Sequence, residues 1–218
     1  GNLAKARAAI ADGRIRGADL VVFPEMFLLG YPPEDLVLKP AAVEACKRAL
    51  DSLVEDTKSG PAVLVGLPWR QGRKLHNAVA LIDDGHLVAL RFKHELPNYA
   101  VFDEMRVFQP GPVPEIVKWR GIRLGLPICE DIWTPDVVEC LAESGAEIII
   151  SLNASPFDLL KPDSRMAHAV SRALEAECPF FYVNMVGGQD ELVFDGGSFA
   201  LGADGKLAAH LPSFSEAT

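Results

Sequence analysis

Closely spaced cysteines are lacking in this sequence. The four, Cys46, Cys129, Cys140 and Cys178, are spread along the chain without a CxxC pair, which argues against zinc and against a disulfide framework and fits a reducing compartment. A basic cluster is also lacking. The net charge is −9, from 21 Lys and Arg against 30 Asp and Glu, so nucleic acid, whose phosphates need a local cationic surplus, is not the expected partner. No apolar run approaches the roughly 20 residues of a membrane span, and the first residues carry no signal-peptide pattern. No membrane partner is expected, and the cytoplasm is the expected location. His76, His86, His94, His168 and His210 show no metal spacing, so neither a metal nor a cofactor is expected on this chain. Internal repeats, low-complexity tracts and linkers are missing too, and residues 1–218 read as one domain.

What is present is an alternation of helical and strand patterns. Leu3 to Ile15 repeats Ala, Leu and Ile at helical spacing. Asp19-LVVFP-Glu25 is a short apolar run of the kind a buried strand needs, and Ala62-VLVGLP is another. Between them, Pro40 to Thr57 places Val43, Cys46, Leu50 and Leu53 on one helix face. HNAVALID and HLVALRF, joined by Asp84-Gly85, predict a hairpin over 75–92. The second half predicts a strand from Gly121 ending at Cys129, a helix from Thr134-Pro135 to Ser144, and a strand at Glu147-IIISLN. A helix from Asp163 to Glu177, a strand at Phe180-FYVNMV and a hairpin around Asp204-Gly205 follow. Gly187-Gly188 and Gly196-Gly197 read as turn glycines. The order implies an α/β layered fold with a mixed sheet. Such a fold normally opens on a strand, so a strand is expected upstream of Gly1, and the chain is expected to be part of a longer polypeptide.

Functional groups in α/β folds collect beyond the carboxyl ends of strands. Glu25 follows LVVFP, Lys93 follows HLVALRF, and Cys129 follows RLGLPI. Taken singly these are a loop acid, a hairpin-exit lysine and a small buried hydrophobe. Together they are a base, a cation and a thiol, the set that a cysteine nucleophile requires.

FPEMFLLGYPPEDL, FKHELPNYAVFDEMRVFQPG and GLPICEDIW are similar, in order and spacing, to the three motifs of the nitrilase, or carbon–nitrogen hydrolase, superfamily. YPPEDL, KHELPNYAVFDE and GGQDELVFDGGS resemble in particular the N-terminal glutaminase domains of glutamine-dependent NAD synthetases. The resemblance spans about Asp19 to about His210 and implies a nitrilase-like four-layer αββα sandwich. It implies Glu25 as general base, Cys129 as nucleophile forming a thioester with L-glutamine, and Lys93 as oxyanion partner, assisted by the backbone N–H of Glu130. Glu104 would orient Lys93 or assist proton transfer; the alternative is a surface loop acid. Tyr99, Ser155 and Lys161 would contact glutamine, with Arg165 as the alternative to Lys161. Tyr31, Phe102 and Glu130 would line the pocket, the two aromatics being equally readable as packing residues. Cys46, Cys140 and Cys178 read as packing residues, and His94 stands beside Lys93 with no assigned chemistry.

The same resemblance implies a C-terminal synthetase domain in the full polypeptide, using ATP and Mg to aminate nicotinic acid adenine dinucleotide to NAD, and a homo-oligomer. No SGGxDS-type pyrophosphate loop occurs in this chain, so ATP is not expected to bind it. The competing readings are a stand-alone amidase for another small amide, and a non-catalytic module that has kept the fold. The first is disfavoured by YPPEDL and GGQDELVFDG, the second by the joint presence of Glu25, Lys93 and Cys129.

Overall fold

The structure, a computed structural model, describes residues 1–159 and 161–218; the side chain of Lys161 also lies outside the description. The chain divides into two compact units, one of residues 1–92 and 96–110, the other of 93–95 and 111–218.

In the first unit, helix α1 (Asn2–Arg16) leads to strand β1 (Leu20–Val22), helix α2 (Pro40–Asp56), and strands β2 (Ala62–Gln71), β3 (Lys74–Asp83) and β4 (His86–Phe92). A single turn, α3 (Glu104–Val107), completes it. The sheet order is β1-β2-β3-β4, with β1 parallel to β2 and the other pairs antiparallel. Val63, Val65 and Leu67 stand on the same face as their partners Ile82, Ala80 and Ala78. This face packs against Ala6 and Ile10 of α1 and Leu50 and Leu53 of α2. The opposite face, carrying Leu64, Asn77, Val79 and Leu81, is buried as well. That double burial explains why both strands read as continuous apolar runs rather than alternating ones. Asn77 is thus a polar residue in a buried strand, and it needs partners.

The second unit contains β5 (Val117–Trp119), β6 (Ile122–Gly125), α4 (Asp136–Glu143), β7 (Ile148–Asn153), α5 (Lys161–Ala176), β8 (Phe180–Asn184), β9 (Val186–Gln189), β10 (Leu192–Asp195), β11 (Phe199–Leu201) and β12 (Leu207–His210). Its main sheet runs β12-β11-β8-β7-β6-β5. The three central strands are parallel and the outer pairs antiparallel. Helices are what parallel neighbours need as crossovers: α4 and α5 lie between β6, β7 and β8 in the chain, and their Val137, Val138, Leu141, Ala169 and Ala173 pack with Ile149, Phe180 and Tyr182.

Two readings of the sequence are corrected here. The strand expected to reach Cys129 ends at Gly125, because Pro127 has no N–H to offer the ladder. One bridge, Ile128 to Leu152, restores the pairing just before the cysteine. Gly187 and Gly188 are strand residues of the β9–β10 ribbon rather than a turn, Gly187 at φ 146°, whereas Gly196 and Gly197 follow the ribbon at φ 67° and 62°.

Candidate active site

Glu25 sits three residues beyond β1 and is fully buried. Its backbone lies against Gly66 of β2: a Cβ on Gly66 would stand 2.3 Å from the Met26 nitrogen and 2.7 Å from the Glu25 carbonyl carbon. Only glycine admits that approach, and the Leu28 N–H donates to the Gly66 carbonyl at 3.1 Å to hold it. Gly66→Ala is therefore expected to destabilise the chain by about 2–3 kcal/mol, measured by denaturant unfolding, and to displace Glu25. The Glu25 carboxylate accepts a hydrogen bond from Asn77 Nδ2 at 2.7 Å. The same Nδ2 lies 3.4 Å from Glu104 Oε2, and Tyr31 Oη donates to Glu104 Oε1 at 2.9 Å. Glu104 is 4% exposed, so it is a buried member of this network and not a surface acid. Tyr31, expected as pocket lining or packing, is tied into it. Phe102 is buried with its ring edge-on to that of Tyr99, a residue itself 51% exposed.

In the second unit Cys129 opens a 3-10 turn, Cys129–Ile132, with φ 46°. A non-glycine residue in that region is strained, and such strain accumulates where a side chain must be presented in one direction. Asp131, fully buried two residues on, organises this turn. Its Oδ2 accepts the Ile128 N–H at 2.9 Å, and its Oδ1 accepts the His94 and Glu95 N–H groups at 3.1 and 2.8 Å. One carboxylate thereby fastens the segment bearing Lys93 to the turn bearing Cys129. Lys93 is itself 1% exposed, and its charge acts on Asp131. The imidazole of His94 turns to the Gly111 carbonyl at 2.9 Å.

Burial pushes the Asp131 carboxyl up to about 6, against the lowering effect of its three main-chain donors and of Lys93. A carboxyl that holds its proton more tightly folded than unfolded contributes stability that is full below the ordinary value, 3.8, and is lost as pH rises through the folded value. Wild type should therefore lose stability relative to Asp131→Asn as pH rises between about 4 and 6, by at most about 1.4 kcal/mol per pH unit. Denaturant unfolding at several pH values checks this; parallel profiles would contradict it.

Ser155 follows β7, the strand beside β6, so Cys129 and Ser155 lie beyond the carboxyl ends of neighbouring parallel strands. Ser155 is buried, its N–H donating to Asn184 Oδ1 at 3.0 Å. Arg165, the alternative glutamine ligand, is already committed. Its guanidinium donates to Ser155 Oγ, the Ser155 and Pro156 carbonyls, and Asp195 Oδ1 at 2.7–3.1 Å. It holds the 155–156 loop instead of offering a fork to a ligand. The expectation for Lys161 falls on a side chain outside the described residues; its backbone opens α5. Glu130 lies within the 129–132 turn, half-buried.

The remaining thiols have no comparable setting. Cys46 and Cys178 are buried in the packing, and that burial pushes Cys46 up to about 11 and raises Cys178 as well. Cys140 is a half-buried residue of α4. Among the described residues no three His, Cys, Asp or Glu side chains group as a metal would require, and no helix is long and apolar enough to cross a membrane. Asn77, Asp131, Asn184 and Asp195 were missed as site residues by the sequence reading. The available signal was polarity inside or directly after apolar strands, as in HNAVALID and PICEDIW.

Comparison with known proteins bears on this geometry. The carbon–nitrogen hydrolase family model matches residues 1–218. The glutamine-dependent NAD(+) synthetase of Rhodobacter capsulatus is 45% identical over 216 residues, covering 99% of this chain and 39% of the relative. That of Aquifex aeolicus is 44% identical over 209 residues, covering 95% of this chain and 37% of the relative. Among solved structures, the glutamine-dependent NAD+ synthetase of Acinetobacter baumannii superposes with a TM-score of 0.94 at 35% identity, covering 99% of this chain and 41% of that one. An amidase from Nesterenkonia sp. AN1, captured with acrylamide added to its active-site cysteine, gives 0.86 at 28% identity, covering 97% and 82%. The chain thus spans about two-fifths of the length of the curated relatives it matches. With a family of enzymes matched from end to end, the α/β fold and its mixed sheets have their explanation: the chain belongs to the carbon–nitrogen hydrolase family.

Proposed function

We propose that the chain is the glutaminase part of a glutamine-dependent NAD synthetase. The observation that carries this reading is the second unit's turn, where Cys129 stands at φ 46° and Asp131 fastens the Lys93 segment to it. Relatives named as glutamine-dependent NAD(+) synthetases, aligned over 99% and 95% of this chain, support glutamine as the substrate. In this mechanism Glu25 takes the Cys129 proton and the thiolate attacks the side-chain amide carbon of L-glutamine. Lys93 and the Glu130 N–H stabilise the oxyanion. Ammonia leaves with a proton returned by Glu25, and water activated by Glu25 resolves the γ-glutamyl thioester to glutamate.

Glu104 and Tyr31 support the base. Tyr99, Phe102, Ser155 and Lys161 receive the substrate, the lysine pairing with its α-carboxylate. The ammonia serves a synthetase domain of the same polypeptide, which uses ATP and Mg to convert nicotinic acid adenine dinucleotide to NAD in the cytoplasm, within a homo-oligomer. The test is a comparison of amides. Glutamine should exceed asparagine and propionamide by about 100-fold in kcat/KM. Equal turnover of the aliphatic amide would make the chain a general amidase instead.

A further inference from the structure

The amide of Asn77 faces two buried carboxylates, and its arrangement is specific. Asn77 stands on β3, 1% exposed, with Nδ2 2.7 Å from Glu25 Oε1 and 3.4 Å from Glu104 Oε2. The reverse orientation would set its carbonyl oxygen against two acceptors, so the NH2 must face them. Its Oδ1 is buried without a hydrogen-bond partner among the described residues. An orphaned acceptor is unfavourable, and a leucine would suit an apolar strand better. What the position gains from asparagine is therefore its two donors.

We propose that Asn77 is a positioning residue of the hydrolytic reaction, which fixes the Glu25 carboxylate and keeps it separate from Glu104. The proposal rests on the glutaminase reading above. Two carboxyl groups in direct contact share a proton and titrate as a pair. An amide between them donates one N–H to each and carries no proton across. Glu25 then holds the proton taken from the thiol until the leaving amine needs it, while Glu104 stays bound to Tyr31.

The test compares Asn77→Asp, Asn77→Ala and Asn77→Ser with the unaltered protein in glutamine hydrolysis, with folding followed by circular dichroism. Asn77→Asp is nearly isosteric but removes both donors and adds an acid. Its kcat should fall about 100-fold, with KM changed by less than about threefold. Asn77→Ala leaves space in which water can donate, so its kcat should fall only about tenfold. A space-filling role predicts the opposite order, and kcat for Asn77→Asp at or above that of Asn77→Ala would overturn the proposal. If Asn77→Asp is recovered unfolded, the serine variant decides: keeping a hydroxyl donor, it should exceed the alanine variant in kcat by at least about threefold, and equality would overturn the proposal. An unaltered protein that releases no glutamate would remove the functional reading itself. An active protein whose variants keep its kcat would remove only the assignment of Asn77.

Discussion

Replacing Cys129 with alanine is expected to lower glutamine hydrolysis by at least about 10³-fold while leaving the fold intact. The activity loss follows from the proposed covalent catalysis: without the sulfur no thioester could form, and the oxyanion donors alone would recover little of the rate. No other thiol can take over, because Cys46 and Cys178 are buried with raised pKa values and Cys140 sits on the α4 helix. The fold should survive, since alanine at φ 46° bears the same kind of backbone strain as cysteine. Cys129→Ser should also be nearly inactive, because a carboxylate is a far weaker base toward an alcohol than toward a thiol. Glutamate release and the melting temperature, measured on the same preparation, separate lost chemistry from lost structure.

The largest effect on stability is expected at Arg165. Its ion pair with Asp195 spans 2.7 Å with both side chains 4% exposed, and the same guanidinium serves two carbonyls of the 155–156 loop. Removing it leaves a buried charge and two carbonyls without their donor. Arg165→Ala should therefore cost about 3–5 kcal/mol in denaturant unfolding. Asp195→Leu alone should be similarly harmful, whereas Arg165→Leu combined with Asp195→Leu should recover part of the loss, because the uncompensated charge is gone. Strict additivity of the two single changes would show that the pair is not coupled. Glutamine KM in any folded Arg165 variant should rise, since the loop bearing Ser155 would lose its anchor.

Much of this was legible before the structure. The apolar runs at 62–68 and 147–153, the helix face of Val43, Cys46, Leu50 and Leu53, and the Asp84-Gly85 hairpin turn all follow from local pattern, and all are present. Boundaries failed where a single residue overrode the pattern, as Pro127 did for the strand before Cys129. The β9–β10 ribbon was missed because Gly187 and Gly188 look like punctuation, yet a strand tolerates glycine when its partner supplies the ladder. For the site, Glu25, Lys93 and Cys129 stood out by residue type and place. Asn77 and Asp131 did not, and Arg165 was read as a possible glutamine ligand rather than a loop anchor, because their roles depend on partners 52, 36 and 30 residues away in the chain. Sequence patterns record local periodicity, and long-range polar pairing leaves no such trace.

The central claim is that glutamine is hydrolysed through a thioester on Cys129. Acid-quenching the protein during steady-state turnover of glutamine and mapping its peptides by mass spectrometry tests this directly. The expected result is one γ-glutamyl adduct, on Cys129 alone, absent when glutamate replaces glutamine and absent in Cys129→Ala. Sustained glutamate release by Cys129→Ala, or an adduct on any other residue, would contradict it.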